Sequence, residues 1–115
     1  MTEGDIMRTI QLDLANGPVR LLRNNAGMLK NQAGNIVRFG VGGPGGSDLL
    51  GWRTITIGPE HIGQQLAVFA AIEVKAPRGK VTQEQANFIE RVQQYGGLAG
   101  VARCTDDARQ ILKLP

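Results

Sequence analysis

The spacing of apolar positions changes several times along the chain, and each change predicts an element. In "TEGDIMRTIQLDLANG", Ile6, Met7, Ile10 and Leu14 recur at helical spacing. Thr2 is placed to cap that helix, Glu3 and Asp5 suit the positive end of its dipole, and Asn16-Gly17 stops it. Glu3 lies on the apolar face, one turn before Ile6 and Met7, and is expected to point inward with it. "PVRLLRNN" reads as a strand, "AGMLKNQAGN" as a turn-rich hairpin region and "IVRFG" as a second strand. A glycine-rich break, "VGGPGGS", precedes "SDLLGWRTITIG", which resumes as strand, and "PEHIGQQLA" is loop-like. "VFAAIEVKA" is the most apolar strand and is predicted to be central. After the turn "APRGK" comes a helix, "TQEQANFIERVQQYGG". Thr82 and Gln85 form a capping-box pattern, Phe88, Ile89, Val92 and Tyr95 make the stripe, and Gly96-Gly97 ends it. "LAGVARC" is a last strand, and "TDDARQILKLP" a short helix with Thr105 as its expected cap. The order predicts a mixed α/β sandwich. In it, the strand, helix and strand from Val68 to Cys104 make one right-handed parallel crossover.

Composition narrows the function. A chain of 115 residues with 42% hydrophobic content is expected to form one domain over 1–115 with a core of its own. No stretch has the apolar length of a membrane span and no signal peptide is visible, so a cytoplasmic location is expected, without membrane partners. Cys104 is the single cysteine, which excludes an intrachain disulfide and a Cys-rich zinc site. The net charge of +3 is compatible with a phosphate-rich partner. Aromatic content of 4% argues against a base-stacking platform as the main binding mode.

"AAIEVKAPRGK" then poses a chemical question, because it sets two opposite charges inside an apolar run. In a strand, Glu73 and Lys75 face one way while Ile72 and Val74 face the other. Asp48 opens a strand after the glycine break, and the spacing allows Asp48 and Glu73 to sit on neighbouring strands. Two nearby carboxylates are hard-oxygen ligands for Mg²⁺ and repel each other unless a cation or proton joins them. A lysine beside them can orient or help deprotonate a metal-bound water, an apparatus suited to attack on a phosphodiester. Gln85 precedes Phe88, Ile89 and Val92 by three, four and seven residues, so it lies on the stripe expected to be buried.

"SDLL" followed by "IEVK" resembles the D…ExK signature of the PD-(D/E)xK nucleases. The ordered "GKVTQEQANFIERVQQYGGLAGVARC" is similar to the virus-type replication-repair nuclease (VRR-NUC) domain, small stand-alone members of which occur in phages and bacteria. The resemblance implies a restriction-endonuclease-like fold, a mixed sheet flanked by helices with an α-β-β-β-α-β core. It implies that Asp48 and Glu73, with the backbone carbonyl of Val74, bind Mg²⁺ or Mn²⁺, and that Lys75 is the catalytic lysine. Gln85 matches the family's helix glutamine and Glu3 its N-terminal-helix acid. The implied substrate is DNA, branched DNA such as a four-way (Holliday) junction included, and the implied assembly is a homodimer. Ser47 departs from the broader superfamily, which often has Pro before the Asp.

Blander readings stand beside these. Asp48 after glycine is ordinary turn chemistry. Gln85 could serve only the capping box, and both roles look ill-matched to one side chain. Glu3 could merely complement the helix dipole. Arg78 and Lys80 occupy a turn flanking the site, where they either contact DNA phosphates or are simply solvated. "GVGGPGGSD" lacks the Lys-Ser/Thr ending of a nucleotide-binding loop, and His61 with Cys104 has no supporting pattern for a thiol hydrolase. Two rivals to the nuclease are a catalytically silent DNA-binding module on the same fold and an interaction subunit with no nucleic acid.

Overall fold

The structure, a computed structural model, describes residues 2–43 and 45–115. Pro44, inside the glycine-rich run, lies outside the described residues. The fold is mixed α/β, and the chain divides into two compact units, Met1–Arg53 and Thr54–Pro115. No helix among the described residues is long and apolar enough to cross a membrane.

The first unit opens with helix α1, Glu3–Leu14. Thr2 caps it as expected: its side chain accepts from the Asp5 N–H at 3.1 Å, and its own N–H donates to Asp5 Oδ2 at 3.0 Å. Past the C-cap at Ala15, Gly17 takes φ 56°, a left-handed conformation that costs glycine little. The face turned to the sheet differs from the one the apolar spacing predicted. Ile6, Ile10 and Leu14 are exposed, whereas Met7 and Gln11 are half-buried. Gln11 Nε2 donates to the Leu21 carbonyl at 3.2 Å, which draws that side of α1 onto strand β1, Val19–Arg23. Glu3 continues the Met7–Gln11 line one turn further out and is exposed, so the expectation of an inward-pointing acid is not met in this unit.

β1 pairs antiparallel with β4, Leu49–Arg53. At Gly51 a side chain would run into the Arg20 carbonyl on β1, so the strands approach there as only glycine allows. The ladder of β4 stops at Arg53, short of the "TITI" that the sequence reading included in the strand. β2, Gly27–Lys30, and β3, Ile36–Phe39, form the expected antiparallel hairpin. Its turn is closed by the Asn31 side chain, whose Oδ1 accepts from the Asn35 N–H at 2.9 Å.

The second unit is a strand–helix–strand followed by a short helix. β5, Ala70–Val74, and β6, Leu98–Ala102, are parallel, with Glu73 opposite Val101 and Val74 opposite Ala102. α2, Gln83–Gln94, connects them and carries Val92, 1% exposed. The double glycine ends α2 in a Schellman motif: Gly96 N–H donates to Gln93 O at 3.0 Å and Gly97 N–H to Val92 O at 2.9 Å, with Gly96 at φ 89°. Ala99 and Ala102 of β6 are also buried. α3, Thr105–Ile111, packs Ile111 against Gly100, where an added Cβ would meet it at 2.8 Å.

Two expectations are corrected here. β5 has one ladder partner among the described residues, β6, because its unit holds a two-stranded sheet; it is not central in that sheet. The cap of α3 is Cys104, without a side-chain bond, because Thr105 already has helical geometry; Asp107 Oδ2 instead accepts the Arg103 N–H at 2.9 Å.

The two capping boxes differ in one respect that can be measured. That of α1 depends on an ionised Asp5, and that of α2 on the neutral amide of Gln85. The hydrogen bond from the Thr2 backbone, and then that with its side chain, hold Asp5 below its usual 3.8. A depressed folded value means that the contribution is full above 3.8 and is lost as pH falls through the lower value. Amide hydrogen exchange along a pH series is therefore expected to show the first turn of α1 losing protection below 3.8 while the first turn of α2 keeps its own. Equal loss in both would reject the Asp5 assignment.

Candidate active site

β5 presents its charged face inward. Ala71, Glu73 and Lys75 are half-buried, while Val74 is 74% exposed. A strand buried on both faces would show the opposite for Val74. Lys75 Nζ stands 3.6 Å from Glu73 Oε1, the pairing expected of residues two apart on one strand face. A half-buried carboxylate needs partners, and Glu73 has a second one: Gln85 Nε2 donates to the same Oε1 at 2.8 Å.

Gln85 is thus used twice. Its Oε1 accepts the Thr82 N–H at 3.0 Å, completing the capping box, while its nitrogen serves Glu73. The apparent conflict between capping and site roles disappears because a primary amide carries an acceptor and a donor on opposite corners. The cap also fixes which corner is which, since only the oxygen can take the Thr82 N–H. An open cleft of about 410 Å³ lies beside the pair, lined by Ala71, Ile72, Glu73, Glu84, Gln85, Phe88 and Ile89.

Asp48 belongs to the first unit, where it is exposed one residue before β4. Its surroundings include a residue that the sequence reading missed. Asn24, half-buried just after β1, donates its backbone N–H to the Asp48 carbonyl at 2.8 Å. Its side chain accepts the Val41 N–H at 2.9 Å and donates to the Val41 carbonyl at 2.8 Å and the Ser47 carbonyl at 2.9 Å. One asparagine therefore closes the glycine-rich loop at both ends and sets where Asp48 begins. The only trace in the sequence is "NN" after a strand, a turn signal that says nothing of a partner 17 or 23 residues away.

The donors expected to hold a metal are hard oxygens. Among the described residues no three His, Cys, Asp or Glu side chains gather into a group that could hold an ion. Mg²⁺ needs no such group, because it binds through one or two carboxylates with waters and substrate oxygens in its other positions. Glu73 and the Val74 carbonyl lie in the second unit, Asp48 and Glu3 in the first. Arg78 and Lys80 are exposed on the turn after β5.

A family model for the VRR-NUC domain matches residues 18–106. The chain belongs to the VRR-NUC family. The matched stretch runs through both units and includes Asp48, Glu73, Lys75, Arg78, Lys80 and Gln85, while Glu3 lies outside it. Membership carries a nuclease-type, DNA-processing function. No curated protein matches the chain, and no solved structure does.

The double use of Gln85 in this VRR-NUC chain separates two substitutions. Gln85→Glu keeps an acceptor for Thr82 but turns a donor facing Glu73 into a second carboxylate; Gln85→Met removes both bonds. Gln85→Glu is expected to lower thermal stability at neutral pH by like-charge repulsion with Glu73, and added salt to recover part of the loss. Gln85→Met should lower it by about 1 kcal/mol through the lost side-chain hydrogen bonds, with no recovery by salt. A Gln85→Glu variant as stable as the unmodified chain would mean that the amide does not act on the carboxylate.

Proposed function

We propose that this VRR-NUC protein is a metal-dependent DNA endonuclease that hydrolyses phosphodiester bonds in branched DNA as a homodimer. The observation that carries the reading is the Glu73 carboxylate held between the Lys75 ammonium and the Gln85 amide. A silent DNA-binding module would have no use for a half-buried acid so arranged, since an acid repels phosphate.

Asp48, Glu73 and the Val74 carbonyl would hold Mg²⁺ or Mn²⁺, with Glu3 as a further carboxylate on the N-terminal helix. The bound ion supplies electrostatic stabilisation of the charge that develops on the phosphate. Gln85 holds Glu73 in one rotamer, so the carboxylate does not have to be ordered at each turnover. Lys75 orients the attacking water or takes part in its deprotonation. Arg78 and Lys80 hold flanking phosphates by a sequence-independent, salt-sensitive attraction.

Asp48→Asn and Glu73→Gln are each expected to weaken metal binding, read by calorimetry, and to abolish cleavage. Lys75→Ala should keep DNA affinity while lowering the single-turnover rate by about 10²–10⁴. The substrate panel is linear, flapped, forked and four-way DNA with Mg²⁺ or Mn²⁺. Full activity in either carboxylate variant would overturn the metal assignment, and loss of affinity alone in Lys75→Ala would make that lysine a phosphate clamp.

A dimer sets two equivalent sites at fixed separation, which suits a junction with its own approximate two-fold symmetry. Apolar residues after Asp48 are candidates for the interface: Leu49, Leu50, Trp52 and Ile55 are half-buried and Ile57 is exposed. The β2–β3 hairpin offers more: Met28, Leu29, Ile36, Val37 and Phe39 are all exposed. A lone two-stranded hairpin is marginal in water, so a second copy covering it would stabilise both. Light scattering coupled to size exclusion is expected to give twice the 12.4 kDa chain mass at micromolar protein and the monomer mass for Leu29→Glu/Val37→Glu. A monomer mass for the unmodified chain would reject the dimer.

A further inference from the structure

Directly after Lys75 the chain makes the turn Ala76–Gly79, closed by Gly79 N–H donating to the Ala76 carbonyl at 2.9 Å. Pro77 in its second position and Gly79 in its fourth are the residues this turn favours. Ala76, Pro77 and Arg78 of the turn are exposed, Gly79 is half-buried, and the turn leads into the exposed Lys80. By itself a four-residue surface turn with one hydrogen bond is mobile, and two mobile cations hold a phosphate poorly.

A second element steadies it. Arg103 Nη1 donates to the Ala76 carbonyl at 2.7 Å and to the Gly79 carbonyl at 2.9 Å, spanning the first and last residues of the turn. Arg103 is itself placed. It follows β6, whose last residue, Ala102, accepts the Lys75 N–H at 3.1 Å, and its own N–H is held by Asp107 of α3 at 2.9 Å. The parallel register of β5 and β6 thus delivers Arg103 beside the exit from Lys75. A planar guanidinium suits this bridge, because its donors point in fixed directions.

We propose that Arg103 is a positioning residue for DNA: it pins the Ala76–Gly79 turn so that Arg78 and Lys80 meet the substrate phosphates next to Glu73 and Lys75. The role rests on the nuclease reading above for its substrate, and it deepens that reading. Arg103 acts through the turn and not by touching DNA.

The test measures affinity for a fluorescent four-way DNA and a duplex without divalent metal, at fixed salt. The proteins are the unmodified chain, Arg103→Met, Arg103→Lys, Arg78→Ala/Lys80→Ala, and that double variant with Arg103→Met added. Arg103→Met is expected to weaken binding about tenfold in the unmodified background and less than about twofold in the double variant, where the turn has no cations to present. Arg103→Lys should recover part of the loss, since an ammonium reaches one carbonyl. Gly79 amide exchange, read without DNA, should speed up in Arg103→Met while the exchange of β5 stays unchanged. Should Arg103→Met not fold, Arg103→Lys and Arg103→Gln carry the same comparison. Equal losses in both backgrounds would show Arg103 on the DNA itself, and no loss in either would show an idle brace; each overturns the proposal. An unmodified chain that binds DNA but cuts none with Mg²⁺ or Mn²⁺ overturns the nuclease reading and leaves this role standing. One that binds no DNA overturns both.

Discussion

The Gln85 amide is the constraint on which the second unit depends. A half-buried carboxylate in the middle of a strand is costly unless hydrogen-bonded, and the first turn of a helix leaves backbone donors unmet. One side chain answers both needs, with its nitrogen on Glu73 and its oxygen on the Thr82 N–H. A shift of α2 by one residue along its axis would carry the Gln85 amide away from Glu73, so the start of the helix is pinned to β5.

The other end of α2 is pinned as firmly. The Gly96-Gly97 Schellman motif turns the chain back into β6, where Leu98 N–H donates to Phe69 O at 2.9 Å and opens the parallel ladder. Gln93 Nε2 adds a bond to the Ala99 carbonyl at 2.8 Å. Between these two anchors the register of β5 against β6 has no freedom, and whatever follows each strand is placed by it. That is how Arg103, far along the chain from Ala76, comes to bridge the turn after Lys75.

In the first unit the same logic runs through Asn24. Its backbone lengthens the β1–β4 pairing by one bond to Asp48, and its amide ties down both ends of a loop made mostly of glycine. Such a loop is expensive to order, and a half-buried amide with three bonds offsets part of that cost. Asp48 therefore sits beside a clamp, and Gln85 is one.

Much of this was legible in the sequence, and the parts that were share a cause. The Thr2 cap, the Thr82/Gln85 capping box, the Gly96-Gly97 stop, strand alternation and the Glu73/Lys75 pairing are set by neighbours within a few residues, so the spacing of residue types determines them. The face of α1 that meets β1 was misjudged, because Gln11 is polar and its carbonyl partner belongs to another element. The cap of α3 falls on Cys104, one residue before the Thr105 that the spacing of residue types favours, because Thr105 already takes helical geometry. Gln85 was legible as a cap and as an inward-facing polar residue, but that one amide does both was decided only when α2 docked on β5. Asn24 and Arg103 left no signal, since their partners lie 17 to 27 residues away. The sequence determined by itself which residue types recur at which local period, and with them the elements and the acid–lysine pair. Only the tertiary structure decided which backbone carbonyls a distant amide or guanidinium would reach, because that depends on register between elements and not on spacing within one.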